Sequence, residues 1–330
     1  MRAFSDVARW FALRPANRGR LDRAMDNIAW CFPEWDDRRV RETAINAYKH
    51  LFCLGAEMAV TTRYVSRDGY ARRVEVEEIG EPLREIISDR PTLLITGHCG
   101  NWELLGYSLA SLGFPVHALY RPLDMKPMDR WVQETRRSRG LMLVDKFGAS
   151  AELPRLIENG ETLAFIADQN AGAQGLHVPF FGRLASAYKT IGLLALKYNA
   201  SIVCGCAHRI GGMEAGEAVG SRSFHYRIRT HDVIRPEDWS GQSDPLFYIT
   251  ARYRRAIELM VRESPEQYLW MHRVWKNRPA HERKGRPFPD RLRNKLRELP
   301  WMTEDDVSGV VERSRVDAEE LRRLGASSLK

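Results

Sequence analysis

From residue 91 onward, short apolar runs alternate with stretches of helical periodicity. The strand-like runs fall at 92–97, 116–120, 141–145, 162–167 and 201–207. The helical stretches lie near 101–112, 124–139, 150–159 and 185–199. Such alternation is typical of strand–helix–strand units, whose parallel strands form a sheet that helices cover. We therefore predict an α/β fold with a central, mostly parallel sheet flanked by helices.

Further elements are predicted on both sides of this core. A long helix is expected at 36–62, a strand at 224–230 and a helix at 243–263. The last part of the chain is basic and then mixed in charge, with a helix expected at 312–324. We predict a helical N-terminal segment in front of the sheet.

The N-terminal segment is basic and amphipathic. Residues 1–23 hold six arginines against two aspartates, and Phe4, Val7 and Phe11 share one helical face. A short basic helix with aromatic residues is typical of an interfacial membrane anchor, and the alternative is a helix docked on the protein's own core. The net charge of +8 also favours an anionic partner.

Cysteine usage and hydropathy indicate the compartment. The chain has five cysteines, an odd number at irregular spacing, which agrees with a reducing compartment. Its N-terminus lacks the apolar centre of a secretory signal, and no apolar stretch approaches the roughly 20 residues of a membrane-spanning helix. We expect a cytoplasmic protein that binds a membrane peripherally.

A histidine and a glutamate follow the first strand-like run. The run ends in Gly97-His98, and Glu103 comes five residues later, in the next helical stretch. Ligands of open α/β sheets bind beyond the carboxyl ends of the strands, where His98 is expected. A carboxylate bonded to one imidazole nitrogen fixes the tautomer and raises the basicity of the other. We therefore predict His98 as a base with Glu103 as its partner, against the alternative of an ordinary turn histidine.

Two more polar residues follow strands of the predicted sheet. Arg121 comes after the run at 116–120, and Asp168 after the run at 162–167. Because the carboxyl ends of parallel strands meet at one edge, His98, Arg121 and Asp168 are expected to share a site. An arginine there suits a phosphate or a carboxylate, and Asp168 could instead orient Arg121 or a helix N-terminus.

The segment 175–186, "GLHVPFFGRLAS", combines aromatic and cationic residues. Phe180 and Phe181 stand beside Gly182 and Arg183. This pattern predicts an apolar wall with a cationic rim, suited to a fatty chain. The alternative is a buried turn between a strand and a helix.

Other candidate sites also have purely structural explanations. Cys204, Cys206 and His208 share one strand face and could bind zinc, although small buried residues of a central strand are the alternative. Ser108 in "GYSLA" resembles a nucleophile elbow without its second glycine. Phosphate-binding glycine loops, zinc-finger spacing and aromatic-basic RNA motifs are absent from the sequence.

The order of the motifs is more specific than any one of them. "GHCGNWE", "YRP", "RSRG", "DQN", "VPFFGRLAS" and "PEQYLWMHRVWKNRP" follow one another in the chain, after "AMDNIAWCFPEWDDRRVRE" near the N-terminus. This order resembles the bacterial lipid A biosynthesis lauroyl/myristoyl (late) acyltransferases, with mycobacterial phosphatidylinositol mannoside acyltransferases as more distant relatives.

The resemblance implies acyl transfer from acyl carrier protein, or from acyl-CoA, to a hydroxyl of a lipid A precursor or related glycolipid. It implies a glycerolipid acyltransferase-like fold, with His98 as general base and Glu103 as its partner. The backbone amides at 99–101 are candidates for binding the oxyanion. The expected substrate-binding residues are Arg121, Arg139, Asp168, Gln169, Phe180, Phe181 and Arg183.

Further expectations concern partners and organisation. No metal or other cofactor is needed, and the expected partners are an acyl carrier protein, a glycolipid acceptor and an anionic membrane surface, without nucleic acid. The protein is expected on the cytoplasmic face of the inner membrane. We predict an interfacial segment at 1–20, an acyltransferase domain at 21–280 and a basic, helical tail at 281–330.

Two other hypotheses belong to different classes. The basic surface could serve a non-catalytic peripheral membrane protein or a nucleic-acid-binding protein. A hydrolase using His98 and Ser108 is the other alternative.

Overall fold

The computed structural model describes residues 2–64, 70–120, 122, 124–138, 140–145, 148–210 and 224–325. The strands of this part of the chain are β1 (Val74–Glu77), β2 (Thr92–Thr96), β3 (Val116–Tyr120), β4 (Leu141–Asp145), β5 (Thr162–Ile166), β6 (Leu176–Phe180), β7 (Arg183–Ala187), β8 (Ser201–Arg209) and β9 (Tyr226–Ile234).

Helices precede, separate and follow the strands. They are α1 (Arg2–Ala12), α2 (Arg18–Cys31), α3 (Asp37–Tyr64), α4 (Gly80–Ile86), α5 (Trp102–Ser111), α6 (Lys126–Arg137), α7 (Ala149–Glu158), α8 (Lys189–Tyr198), α9 (Pro236–Trp239), α10 (Pro245–Glu263), α11 (Ala280–Arg283), α12 (Asp290–Arg297) and α13 (Glu304–Leu324).

The central sheet runs in the order β1-β9-β8-β2-β5-β3-β4 through the described residues. Its neighbouring strands are parallel, apart from the antiparallel pair β8 and β9. Strand β2 lies between β8 and β5, and Leu93 and Ile95 on it are buried. The prediction of a mostly parallel sheet flanked by helices is confirmed, and the carboxyl ends of β2, β5 and β3 are adjacent at one edge.

Strands β6 and β7 form a separate antiparallel hairpin that the sequence analysis missed. Phe180 pairs with Arg183, so the loop consists of Phe181 and Gly182, and both have positive φ (51° and 65°). These are the dihedrals of a two-residue type I′ turn, which matches the twist of the flanking strands. The helix predicted at 185–199 therefore begins only at Lys189.

The N-terminal helix α1 is docked on α3 by one face and exposed on the other. Ala8 and Ala12 are buried, and the rings of Phe11 and Phe52 lie 5.3 Å apart. Trp10 is 55% exposed, and Arg14 stacks over its ring at 3.6 Å. In the described residues, no helix is both long enough and apolar enough to span a bilayer.

Helix α13 begins earlier than the predicted helix at 312–324. Thr303 and Asp306 form a capping box at its N-terminus, which fixes the start of the helix at Glu304. Asp317 on α13 is buried and binds Arg183 of β7 through two hydrogen bonds of 2.7 and 2.8 Å. It also accepts a hydrogen bond from the buried Arg278 at 2.7 Å, so the end of the described chain is joined to the hairpin by an interior ion-pair network.

Candidate active site

His98 and Asp168 meet at the carboxyl edge of the sheet. Strands β2 and β5 pair with an offset of 70 residues, as in Thr96 with Ile166. His98 and Asp168 are also 70 residues apart, and each lies two residues beyond the end of its strand. There, His98 Nδ1 lies 2.7 Å from Asp168 Oδ1. The convergence predicted for these two residues is confirmed. The side chain of His98 remains 17% exposed, whereas Asp168 is buried.

The charges around this pair define its protonation. Burial lowers the pKa of His98, but the Asp168 carboxylate outweighs burial and raises it above the ordinary histidine value. Burial raises the pKa of Asp168, whereas His98 and Arg254 lower it, and the net pKa is below the ordinary value. Asp168 is therefore ionised at neutral pH and accepts a hydrogen bond from Nδ1–H of His98. The outer nitrogen, Nε2, is left as the basic atom.

Arg254 supports Asp168 from the interior. It is fully buried on α10, and its Nη1 donates to Ala167 O at 3.1 Å. Its guanidinium also stacks over the ring of Phe180 at 4.1 Å. A buried cation beside Asp168 favours the ionised carboxylate, which in turn holds the proton on Nδ1 of His98.

Glu103 is not the hydrogen-bond partner of His98, so this prediction is wrong. Its carboxylate binds Arg136 on α6 at 2.5 and 2.9 Å and accepts a bond from Trp102 Nε1 at 3.1 Å. The reason is helical geometry: Glu103 is the second residue of α5, and its side chain points toward α6. Glu103 still raises the pKa of His98 through space.

The turn between β2 and α5 is held by backbone contacts. Gly100 has φ +59°, and a Cβ there would lie 2.2 Å from Ala207 O, so only glycine fits. Gly100 N donates to Gln267 O, and Asn101 N donates to Ala207 O. These two amides are therefore unavailable to an oxyanion, contrary to our expectation. The buried His50 also bonds to Gly100 O at 2.9 Å.

His272 is a site residue that the sequence analysis did not select. Its ring stacks on that of His98, with centroids 5.3 Å apart and planes 26° apart. Gln169 Nε2 lies 3.4 Å from His272 Nε2, which places Gln169 beside this second histidine, and its role in substrate binding stays a prediction. The only sequence signal for His272 was its place in the segment "PEQYLWMHRVWKNRP".

Phe181 and Arg183 line a surface cavity of about 520 Å³ together with Trp30 and Trp275, whereas Phe180 does not. Phe180 is fully buried, and Phe181 is 8% exposed with its N–H bonded to Glu258. Arg183 is bound to Asp317 and stacks over the ring of Trp30 at 4.1 Å. Phe180 is therefore a core residue, and the substrate-binding role of Phe181 and Arg183 stays a prediction.

The remaining candidates are placed as follows. Arg121 and Arg139 lie outside the described residues. Ser108 is buried inside α5, away from the start of the helix. Cys204, Cys206 and His208 are buried on β8. Within the described chain, no group of three or more histidine, cysteine or acidic residues is arranged to hold a metal.

An apolar cavity of about 130 Å³ lies between the sheet and helices α4 and α5. The sheet contributes Ala118 and Ala164, and α5 contributes Gly106. Trp102 borders the cavity, and its ring centroid lies 5.0 Å from that of His98. The bonded pair Glu103 and Arg136 lies on the same border. An apolar space thus begins next to the candidate base.

A histidine–carboxylate pair at the carboxyl edge of a mostly parallel sheet, beside an apolar cavity, fits an enzyme of the acyltransferase class. The chain belongs to the bacterial lipid A biosynthesis acyltransferase family, whose sequence model matches residues 1–277. The family predicted from the order of the motifs is thereby confirmed, and the protein is an acyltransferase.

Individual relatives agree with this assignment. The chain is 25% identical to the lipid A biosynthesis palmitoleoyltransferase of Escherichia coli strain K12 over 272 residues, which are 82% of this chain and 83% of that protein. It is 25% identical to the lipid A biosynthesis lauroyltransferase of the same strain over 77% of this chain and 78% of that one. A lipid A biosynthesis acyltransferase of Haemophilus influenzae is 24% identical over 79% and 77%.

Proposed function

We propose that the protein transfers a fatty acyl group from acyl carrier protein, or from acyl-CoA, to a hydroxyl of a lipid A precursor or related glycolipid. The single observation that carries the proposal is the hydrogen bond between His98 Nδ1 and Asp168 Oδ1 at 2.7 Å, with the His98 ring partly exposed. This geometry is that of a general base whose tautomer is fixed by a buried carboxylate.

The proposed reaction proceeds through one acyl transfer. His98 Nε2 takes the hydroxyl proton as the oxygen attacks the thioester carbonyl carbon, and Asp168 stabilises the imidazolium. The C–S bond of the tetrahedral intermediate then breaks, and the sulfur leaves with the proton returned by Nε2. An ester and a free thiol result. Base assistance of this kind contributes about 10²–10⁴ in rate. The step needs no metal or redox cofactor, because the base and the leaving group supply all proton transfers.

The apolar cavity is the proposed site of the donor's acyl chain. An acyl chain along Ala118, Ala164 and Gly106 would have its thioester end near Trp102, within reach of His98. Burial of the methylene groups stabilises such a complex by about 0.8 kcal/mol for each CH₂. The position of the cavity supports a donor with a long hydrocarbon chain.

Two exposed apolar stripes support a peripheral membrane location. On α1, Trp10 is 55% exposed, and on α6 Met125, Met128 and Trp131 are 62%, 50% and 40% exposed. Exposed arginines accompany both stripes, and Lys126 accompanies the stripe on α6, which suits an anionic lipid surface. Helices α1 and α6 both pack against α3. We propose that these stripes bind the anionic surface of the inner membrane from the cytoplasmic side.

The function is tested by incubating the protein with acyl carrier protein thioesters or acyl-CoA and a glycolipid acceptor, followed by mass spectrometry. We expect the acceptor to gain one acyl group, and His98→Ala to abolish the gain while circular dichroism remains unchanged. His225→Ala, at a partly exposed histidine outside the site, is the matched control. Full turnover by folded His98→Ala would refute the general-base assignment.

The membrane proposal has its own test. Co-sedimentation with phosphatidylglycerol vesicles should fall for Trp10→Glu and Trp131→Glu, but not for Leu259→Glu, which changes an exposed leucine on α10. Equal vesicle binding by all three variants would contradict it.

A further inference from the structure

Three arginines cluster beside the candidate base without carboxylate partners. Arg23 on α2 donates from Nη1 to Met271 O at 3.3 Å, which places it next to Arg273. Burial, followed by the charges of Arg273 and Arg20, lowers the pKa of Arg23, so both of these cations lie within electrostatic reach of Arg23. Arg20 is bonded to the neutral Asn17 at 3.3 Å.

The charges of the cluster are not paired with carboxylates, and the side chains of Arg20 and Arg273 are exposed. Among the described residues, Arg20, Arg23 and Arg273 form no ion pair with a carboxylate, whereas Arg183 and Arg209 each bind one. Asp26, on the next turn of α2, attracts Arg23 only through space. Like charges held together repel one another, so a bound anion would stabilise the cluster.

Helix α2 fixes this cluster against the catalytic edge of the sheet. Asn27 Nδ2 donates to Trp270 O at 2.8 Å and to His272 O at 3.0 Å. The ring of His272 stacks on His98, so the segment that carries Arg273 lies directly beside the base. The three arginines therefore lie on the α2 side of His98.

A buried hydroxyl accompanies the cluster. Tyr48 on α3 is 2% exposed, and its hydroxyl has no hydrogen-bond partner in the described part of the chain. Its pKa is raised by burial and lowered in part by Arg20 and Arg23, so it lies in the field of these two cations. An unpaired buried hydroxyl beside unpaired guanidinium groups fits a site that is completed by an acceptor oxygen.

We propose that Arg20, Arg23 and Arg273 bind a phosphate group of the acceptor glycolipid and thereby place its hydroxyl at His98. The inference rests on the proposed acyl transfer and names the acceptor's anchoring group. Guanidinium groups bind phosphate oxygens in bidentate geometry. The cluster adjoins His272, whereas the cavity for the acyl chain adjoins Trp102, and the rings of both residues contact that of His98.

A kinetic experiment tests the site. The double variant Arg23→Ala/Arg273→Ala is compared with Arg38→Ala/Arg41→Ala, which removes two exposed arginines of α3. We expect KM for a phosphorylated glycolipid acceptor to rise about 10- to 100-fold in the first variant only, with KM for the donor unchanged. With the same acceptor after phosphatase treatment, the two variants should behave alike.

Two kinetic results would overturn the proposal. An equal loss with both acceptors would indicate a structural role for the arginines. A rise in KM for acyl carrier protein, without one for the acceptor, would indicate that the cluster docks the carrier. If the double variant does not fold, Arg273→Gln replaces it, because the side chain of Arg273 is exposed. The same rise in KM for the acceptor is then expected.

Equilibrium binding separates this site from the proposed reaction. Without any donor, the phosphorylated glycolipid in detergent micelles should bind the wild-type protein about 10- to 100-fold more tightly than the double variant. This result would support the site even if no acyl transfer were observed. Equally tight binding of inorganic phosphate would instead indicate a free-anion site and refute acceptor anchoring.

Discussion

Asp168 Oδ1 lies 2.7 Å from His98 Nδ1 because the register of two neighbouring parallel strands continues beyond both of them. The carboxylate that serves the histidine therefore comes from the adjacent strand, 70 residues away, and not from Glu103 on the following helix. Glu103 is bound to Arg136 at the border of the apolar cavity. The two carboxylates have separate positions, so their roles can be separated by mutation.

Asp168→Asn should lower kcat/KM by about 10²–10⁴, because the amide neither stabilises the imidazolium nor fixes the Nδ1–H tautomer. Glu103→Gln is the matched control and should lose less. For both variants, kcat/KM is measured from acyl transfer at a saturating concentration of the donor. A larger loss in Glu103→Gln than in Asp168→Asn would restore Glu103 as the partner of His98.

The pH dependence follows from the raised pKa of His98. The base must be neutral, so activity should be lost as pH falls through this pKa, and the midpoint should lie above the ordinary value of about 6.5. In Asp168→Asn the pKa of His98 falls, because the carboxylate that favours the imidazolium is gone, and the midpoint should move to lower pH. Profiles of kcat/KM test this, and an unchanged midpoint would contradict it.

Gly106→Leu should fill the cavity. A Cβ at Gly106 meets only the side chain of Leu141, at 3.6 Å, and the larger side chain extends into the space between α5 and the sheet. We expect activity with long acyl donors to fall more than with short ones. Donor chain-length profiles measure this, with Gly55→Leu at an exposed position of α3 as control. A uniform loss across all chain lengths would argue against the cavity as the acyl site.

His50→Gln should reduce the sensitivity of the fold to acid. Burial, reinforced by the charge of Arg209, lowers the pKa of His50 to about 3, so below pH 6.5 the unfolded chain binds a proton that the folded protein excludes. The free energy of unfolding should therefore drop by about 2 kcal/mol between pH 7 and pH 5 from this residue alone. Glutamine cannot titrate and can still donate to Gly100 O. Urea unfolding at both pH values tests this, and the same drop in the variant would refute it.

Asp317→Ala should destabilise the protein by about 3–5 kcal/mol, because it leaves the buried Arg183 and Arg278 without their shared carboxylate. Glu319→Ala changes an exposed acidic residue of the same helix and should have little effect. Urea denaturation compares the two variants. Equal stability of the two variants would refute the stabilising role of the Asp317 ion pairs.

Local patterns in the sequence were enough to predict the central strands and most of the helices that flank them. The site was predicted in part: His98 and Asp168 were both placed at strand ends, because a strand end is a local feature. Their partnership was not predicted, since it requires knowing that β5 lies next to β2 although β3 and β4 come between them in the chain. The ion pair of Arg183 was not predicted for the same reason, because its partner Asp317 is 134 residues away.

The distance between Arg183 and Asp317 has a consequence for synthesis. A nascent chain carries the hairpin long before residue 317, so Arg183 lacks its carboxylate partner until α13 has been made. Chains cut short before this helix would have to bury a lone cation or leave the hairpin open. An open hairpin is a substrate for proteases. Closure of the hairpin with its ion pairs therefore depends on the synthesis of α13.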